Sequence, residues 1–301
     1  MPASTPRLTI GIPVYNGERY LGCALDSVLA QDIDGLDVVV SDNASTDGTQ
    51  ELVRERRRRD PRVRYIRQEV NRGGVWNTNF VLSQARAPLF KWAFYDDVLR
   101  PGYLSACLAL LDDAGPGVVG AHTRVVVIDQ DGRQIEERQD SRIGADAPTA
   151  HERIGAMYRK LAGQLQFGVF RTEVVQRSGG FVAAYGSEMR MLTRILIEGR
   201  MLQLEDQLLE LRRHPAQYGA TKLAEMSWYK HEGQRGWFAP VSWMTVEFLR
   251  AVGESEADAA ERARCSATVV RDWSLRHLRG VASDLRDLPA ILRLRRDGIR
   301  S

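Results

Sequence analysis

Leu8, Ile10 and Ile12 alternate with Thr9 and Gly11, a period of two that predicts a β-strand ending at Pro13. After the turn VYNG, Leu21, Leu25, Val28 and Leu29 recur at helical spacing. Val38 to Val40 read as a buried strand that runs straight into the polar turn SDNASTDGT. Asp47, with Gln50 three residues on, has the form of a capping box, so a helix is expected from about Gly48 to Arg59. Val63, Tyr65 and Ile66 predict a third strand. A helix beginning near Gly74 is expected to carry Trp76, Phe80 and Val81 inward, and APLFKWAFYDD predicts an apolar strand ending on Asp96 and Asp97. Farther on, VVVIDQDGRQIEE predicts a hairpin turning at Asp131 and Gly132, and a helix is expected from about Ala150 to Leu165. FGVFRTEVV enters another helix, SEMRMLTRILIEGR is a helix ending at Gly199, and MLQLEDQLLELRRH predicts a strand pair. Beyond about Thr221 the pattern becomes helices rich in Trp and Arg, which divides the chain into residues 1–220 and 221–301.

Strands alternating with helices imply βαβ units and a mostly parallel sheet with right-handed crossovers. Pro13, Tyr15 and Asn16 follow the first strand, Asp42 ends the second, and Asp96 and Asp97 follow a later one. All three groups therefore fall on the carboxyl edge of one sheet, where open α/β folds bind ligands. Turn preferences account for Asp47, Gly48 and Thr49 but leave Asp42 unexplained.

With 301 residues and a hydrophobic fraction of 44%, the chain can fill a sizeable core. Its 42 Lys and Arg against 39 Asp and Glu leave a net charge of +3, which gives no reason to expect nucleic acid as a partner. The one basic run, RERRRRD at 54–60, reads as the solvated face of a helix rather than a binding patch. Cys23, Cys107 and Cys265 are far apart and odd in number, so buried reduced thiols are expected rather than disulfides or a metal site. No apolar stretch approaches the roughly 20 residues that span a bilayer, and residues 1–10 lack the form of a secretory leader. A cytoplasmic location is expected, with the inner face of the membrane as the alternative.

Five ordered pieces of the chain resemble the family-two glycosyltransferases, whose fold is GT-A. TIGIPVYNGERYL is similar to the family's opening strand and turn, and SVLAQD with VVVSDNASTDGT to its next helix and Asp-rich nucleotide loop. NRGGVWNTN resembles its Asn-x-Gly segment, FYDDVLRPGYL its metal-binding motif, and GSEMRMLTRI the acidic motif that holds the catalytic base. The likeness covers about residues 7–215. It implies a Rossmann-like, mostly parallel sheet flanked by helices, with a helical C-terminal extension. It further implies inverting transfer of a sugar from a nucleoside diphosphate to an acceptor hydroxyl. A UDP-sugar is the favoured donor, with GDP- and dTDP-sugars as alternatives. The acceptor is a small molecule, a glycan or a lipid-linked glycan.

The resemblance places Pro13, Tyr15, Asn16, Asp42, Arg72 and Asp96 around the nucleotide, Glu188 as catalytic base, and Asp96, Asp97 and His214 at a divalent cation, Mn or Mg. Plainer readings stand beside these: a core tyrosine for Tyr15, a surface charge for Arg72, a helix cap for Asp97, a first-turn acid for Glu188 and a surface histidine for His214. Phe94 takes the place of the first aspartate of the usual Asp-x-Asp-Asp, and Glu188 that of a commoner aspartate. Those departures keep open a nucleotide-sugar-binding protein without transfer activity. A dinucleotide-binding oxidoreductase is excluded, because no Gly-x-Gly-x-x-Gly follows the first strand. Gly168 is placed near the sugar, with helix entry as the other reading. Trp92, Trp228, Trp237 and Trp243 are read as core or acceptor-cleft walls. The C-terminal run RDWSLRHLRGVASDLRDLPAILRLRRDG is read as a helix packed on its own domain or lying on an anionic membrane.

Overall fold

The computed structural model describes residues 6–136, 142–182, 186–215, 240–278 and 282. In chain order the elements are β1 (Leu8–Val14), α1 (Leu21–Leu29), β2 (Leu36–Asp42), α2 (Thr49–Arg59), β3 (Val63–Arg67) and α3 (Gly74–Ser83). There follow β4 (Leu89–Trp92), β5 (Val98–Leu99), α4 (Tyr103–Asp113), β6 (Val118–Ile128), β7 (Gln134–Glu136) and α5 (Ala150–Lys160). After a 3-10 turn at Gly163–Phe167 come β8 (Val169–Arg171), α6 (Thr172–Arg177), α7 (Ser187–Glu198) and β9 (Arg200–Arg212). Two further helices, α8 (Pro240–Gly253) and α9 (Ala259–Thr268), lead into a π-helical turn at Val269–Ser274.

Among the described residues the strands form one sheet in the order β3-β2-β1-β4-β8-β6-β9-β5, with β7 on β6. β1 pairs parallel with β2 and β4, β2 with β3, and β6 with β9, while β8 runs antiparallel between β4 and β6. The carboxyl ends of β1, β2, β3, β4, β6 and β9 therefore share one edge. Every residue of β1 is buried, because helices cover both faces of a parallel sheet. One core, built on Leu8, Ile10 and Ile12, includes α1 and α4; the other gathers Trp92, Phe170 and the inward faces of α5, α7, α8 and α9. Gly11 lets α3 close on β1: a Cβ there would sit 2.7 Å from Val81 Cγ2.

Several expectations are corrected. MLQLEDQLLELRRH is not a strand pair but most of the single strand β9, whose pairing with β6 is irregular. Pro13 lies inside β1, paired with Ser41, so the strand ends one residue later than its proline suggests. The expected helix at 150–165 stops at Lys160, where Leu161 turns left-handed (φ 49°), and resumes only as the 3-10 turn. Asp47 makes no capping box with Gln50; it binds the backbone N–H groups of Glu18 and Thr49 instead. Val81 is buried on α3, but Trp76 and Phe80 are half-buried and stack on each other at 4.9 Å. All three cysteines are free, but only Cys107 and Cys265 are buried; Cys23 is exposed.

The 131–132 turn is present, with Gly132 at φ 84°. Trp92 is buried and Trp243 half-buried, while Trp228, Trp237 and the Thr221 boundary lie outside the described residues. The start of the C-terminal run does pack on its own domain, through Trp273 against Phe248. Its remainder beyond 278 is outside the described residues apart from 282. Among the described residues no helix is long and apolar enough to cross a membrane.

Candidate active site

The carboxyl edge is stitched together by loop-to-loop hydrogen bonds. Asn16, left-handed at φ 52°, donates its backbone N–H to Ser45 Oγ at 2.9 Å and accepts from Thr46 N at 2.8 Å. Asn43 accepts from Arg72 N at 3.0 Å and donates to Asn71 Oδ1 at 2.8 Å, which draws the NRGG segment onto the end of β2. Tyr15 stands at this edge with 43% of its surface exposed. Arg72 is exposed as well, its guanidinium 4.2 Å above the Trp76 ring.

Asp42 is wholly buried. Its Oδ1 accepts from Ser45 N at 2.8 Å, and its Oδ2 accepts from Tyr65 OH at 2.6 Å and Arg67 Nη1 at 2.5 Å. Burial pushes this carboxyl up, but the hydrogen bonds from Ser45, Tyr65 and Arg67 outweigh it and hold Asp42 below the usual carboxylate range. Arg67, the register partner of Asp42 at the end of β3, belongs to none of the sequence motifs. Its position at a strand's carboxyl end is the one signal that could have found it. Because the folded-state pKa of Asp42 is depressed, its stabilisation is present at neutral pH and is lost as pH falls through that value. The unfolding free energy of wild type should exceed that of Asp42→Asn near neutrality, and the gap should close between about pH 5 and pH 2 in urea titrations. A gap that stays constant with pH would remove the Asp42–Arg67 pair as its source. Asp97, which shifts the other way, is common to both proteins and cancels.

The acids after β4 take separate roles. Asp96 Oδ2 lies 3.1 Å from His214 Nε2, and both residues are buried. His214 follows β9 and leans its ring on Tyr20 at 4.7 Å, so it is not a surface histidine. Asp97 accepts from Arg212 N at 3.1 Å, which ties β4 to β9; it does not cap a helix. Burial and the adjacent Asp96 carboxylate push Asp97 well above the usual carboxylate range. Arg212 also donates through Nε to the Asp96 carbonyl at 2.9 Å, a contact that no sequence motif marks.

Two donors about 2.1 Å from one cation on adjacent octahedral positions stand about 3 Å apart. The 3.1 Å separation of Asp96 and His214 fits that spacing, and an oxygen with an imidazole nitrogen suits Mn better than Mg. Among the described residues no three His, Cys, Asp or Glu side chains gather around one point, so Asp96 and His214 are the two that could hold a cation here.

Phe94, two residues before Asp96, meets Phe167 edge-on at 5.6 Å. Phe167 ends the 3-10 turn, and its carbonyl accepts from Tyr103 OH at 2.7 Å and from the wholly buried Lys91. At the other end of that turn, a Cβ on Gly163 would lie 3.5 Å from Cγ of Glu188 and 3.7 Å from its Oε1. Glu188 sits half-buried in the first turn of α7, behind Gly186 at φ 68°. One five-residue turn thus touches both Glu188 and the neighbourhood of Asp96. Gly168, next in the chain, is required by a close approach: a Cβ would sit 2.9 Å from the Ala121 carbonyl.

The sheet thus carries an acid-and-histidine pair at its carboxyl edge, and a second acid stands in the first turn of α7. The model of Glycosyl transferase family 2 matches residues 9–175, and the chain belongs to that family. It is 25% identical over 194 residues to the GalNAc(5)-diNAcBac-PP-undecaprenol beta-1,3-glucosyltransferase of Campylobacter jejuni, covering 64% of this chain and 60% of that one. To the chondroitin synthase of Escherichia coli it is 34% identical over 103 residues, covering 34% of this chain and 15% of the relative. The chain thus spans less than two thirds of the length of these curated relatives. Among solved structures, S. aureus TarS 1-349 in complex with UDP-GlcNAc superposes with a TM-score of 0.67 at 16% identity, over 89% of this chain and 73% of that one. Mannosyltransferase PcManGT from Pyrobaculum calidifontis, in complex with GDP-Man and Mn2+, gives 0.58 at 20% identity, over 96% and 76%. The GT-A fold expected from the sequence is the fold of this chain.

Proposed function

We propose that the chain is an inverting, cation-assisted glycosyltransferase that moves a sugar from a nucleoside diphosphate, UDP in preference to GDP or dTDP, to an acceptor hydroxyl. The observation that carries this reading is the Asp96–His214 pair, joined through the 163–167 turn to Glu188. Asp96 and His214 would hold Mn or Mg at the diphosphate, and the cation would supply charge neutralisation for the departing phosphate. Tyr15 offers a ring face to the base beside Pro13 and Asn16. Asp42 fixes Arg67 and the Ser45 loop beneath it, and Arg72 borders the pocket. Asp97 supports the site by anchoring Arg212. Glu188 takes the proton of the acceptor hydroxyl as that oxygen bonds to the anomeric carbon. The bond from that carbon to the diphosphate breaks on the opposite side, which inverts the configuration.

Residues 1–220 would form the catalytic unit and 221–301 its helical extension. α8 braces α7 through Arg190 and Glu247, paired at 3.0 Å. A small molecule, a glycan or a lipid-linked glycan would serve as acceptor. The Campylobacter relative, named for an undecaprenol-linked substrate, supports the last of these and with it a place at the inner membrane face.

Thermal shift tests the donor side. UDP-GlcNAc or UDP-glucose with Mn should raise the melting temperature more than either alone, because a ligand bound only to the native state stabilises it. No shift with UDP-, GDP- or dTDP-sugars, with or without Mn, would overturn the reading. Binding without transfer or donor hydrolysis would leave a nucleotide-sugar-binding protein.

A further inference from the structure

Three buried side-chain nitrogens that have no hydrogen-bond partner among the described residues fall on one patch of the sheet: His122 Nε2, Arg124 Nε and Gln203 Nε2. His122 and Gln203 are register partners on β6 and β9. Their neighbours Ala121, Val125, Leu202 and Leu204 join the core of α1 and α4. By the alternation of a strand, His122, Arg124 and Gln203 face the other side, toward α5 and α7. Two residues from His122 to Arg124 are matched on β9 by four, from Gln203 to Gln207, so the ladder opens at this point. Such bulges re-aim side chains beside active sites. The patch adjoins the crevice: Gly168 packs against the Ala121 carbonyl and Met201 Cε, and the turn before it reaches Glu188.

Hydrogen-bond polarity selects the ligand. His122 Nδ1 lies 3.1 Å from the Thr123 carbonyl, which can only accept, so Nδ1 carries the hydrogen and Nε2 presents a lone pair. Burial pushes this imidazole down to about 4, so it is neutral at physiological pH. Arg124 Nε and the Gln203 amide nitrogen are donors; Gln203 Oε1 is occupied by Ile143 N at 2.9 Å. The patch therefore offers one acceptor beside two donors. A fully ionised phosphate or carboxylate cannot donate to His122 Nε2, whereas a hydroxyl both donates and accepts. The nearby charges are paired, Arg124 with Glu205 and Arg142 with Asp146, which also disfavours an anion. The Arg124 side chain keeps 26% of its surface exposed, while its Nε and the other two nitrogens are buried.

We propose that His122, Arg124 and Gln203 form an acceptor-side subsite that takes a hydroxyl of a neutral carbohydrate. The hydroxyl donates to His122 Nε2 and accepts from both Arg124 Nε and Gln203 Nε2. The assignment rests on reading the crevice as a sugar-transfer site. A trapped water would satisfy the same atoms, and the experiment separates the two.

The full chain is screened by ligand-observed NMR, with and without UDP and Mn, against the methyl glycosides of glucose, galactose, mannose and N-acetylglucosamine. Gln203→Glu keeps the acceptor for Ile143 N and removes the donor; His122→Phe keeps the ring size and removes the lone pair. At least one glycoside should bind wild type, and its dissociation constant should rise about tenfold in either folded variant, as expected for one lost hydrogen bond. No glycoside binding to wild type, or equal binding to a folded variant, would overturn the subsite and leave an ordered water in its place. Calorimetry with UDP is read separately: failure of wild type to bind UDP counts against the proposed function, while failure of glycosides alone counts against the subsite.

Discussion

Glu188→Gln is expected to bind UDP-sugar as tightly as wild type and to transfer the sugar roughly 10²–10⁴ times more slowly, the usual cost of losing a positioned base. The substitution keeps the length and shape of the side chain over Gly163 and removes its charge and its capacity to take a proton. Donor affinity should not change, because Glu188 lies at the Gly163 end of the 163–167 turn, while Phe94, two residues before Asp96, packs at its Phe167 end. A carboxylate in the first turn of α7 also gains from the helix dipole, by about 0.3–1 kcal/mol, so a purely structural Glu188 predicts a slightly less stable protein with full activity. Single-turnover transfer and equilibrium donor binding on the same preparation separate these outcomes. Near wild-type turnover would move the base to Glu205 or Asp206, both exposed on the irregular stretch of β9.

Much of this site is legible in the sequence because it is built on strand ends. Alternation at Leu8, Ile10 and Ile12 and the valines of β2 place their strand ends to within a residue, whereas the strand expected to end on Asp96 and Asp97 stops at Trp92; parallel strands still put their carboxyl ends together. The helix start at Ser187 is equally readable from Met191, Leu192, Ile195 and Leu196, all buried on one stripe. Long-range pairing is what escapes. Nothing in LELRRH announces that the backbone N–H of Arg212 will meet Asp97, or that His214 will reach Asp96 across more than a hundred residues. β9 reads as a pair because Glu205 and Asp206 look like a turn; in the sheet they are absorbed as a bulge opposite β6. Hydrophobicity alone sends Trp76 and Phe80 inward, yet Arg72 and the two rings build a half-exposed stack that costs no core volume. Lys91, wholly buried beneath the Phe167 carbonyl, carries no local signal at all.

Asp96→Asn is expected to lower transfer by about 10²-fold or more and to abolish the dependence of donor binding on Mn. A cation at a departing phosphate is worth several kcal/mol, and each 1.36 kcal/mol is about tenfold in rate. Asparagine preserves the size of the side chain and can still bond His214, so the fold should survive; the carboxylate charge that holds the cation is what disappears. His214→Ala should act in the same direction but leave the Asp96 side chain in place, giving weaker Mn dependence rather than none. The two changes together should cost less than the sum of each alone, since side chains 3.1 Å apart that serve one cation act as a unit. Calorimetric titration of UDP at graded Mn, alongside turnover in chelator, reads both quantities. Full turnover of wild type in chelator would end the cation assignment and leave the Asp96–His214 pair as a structural clasp between β4 and β9.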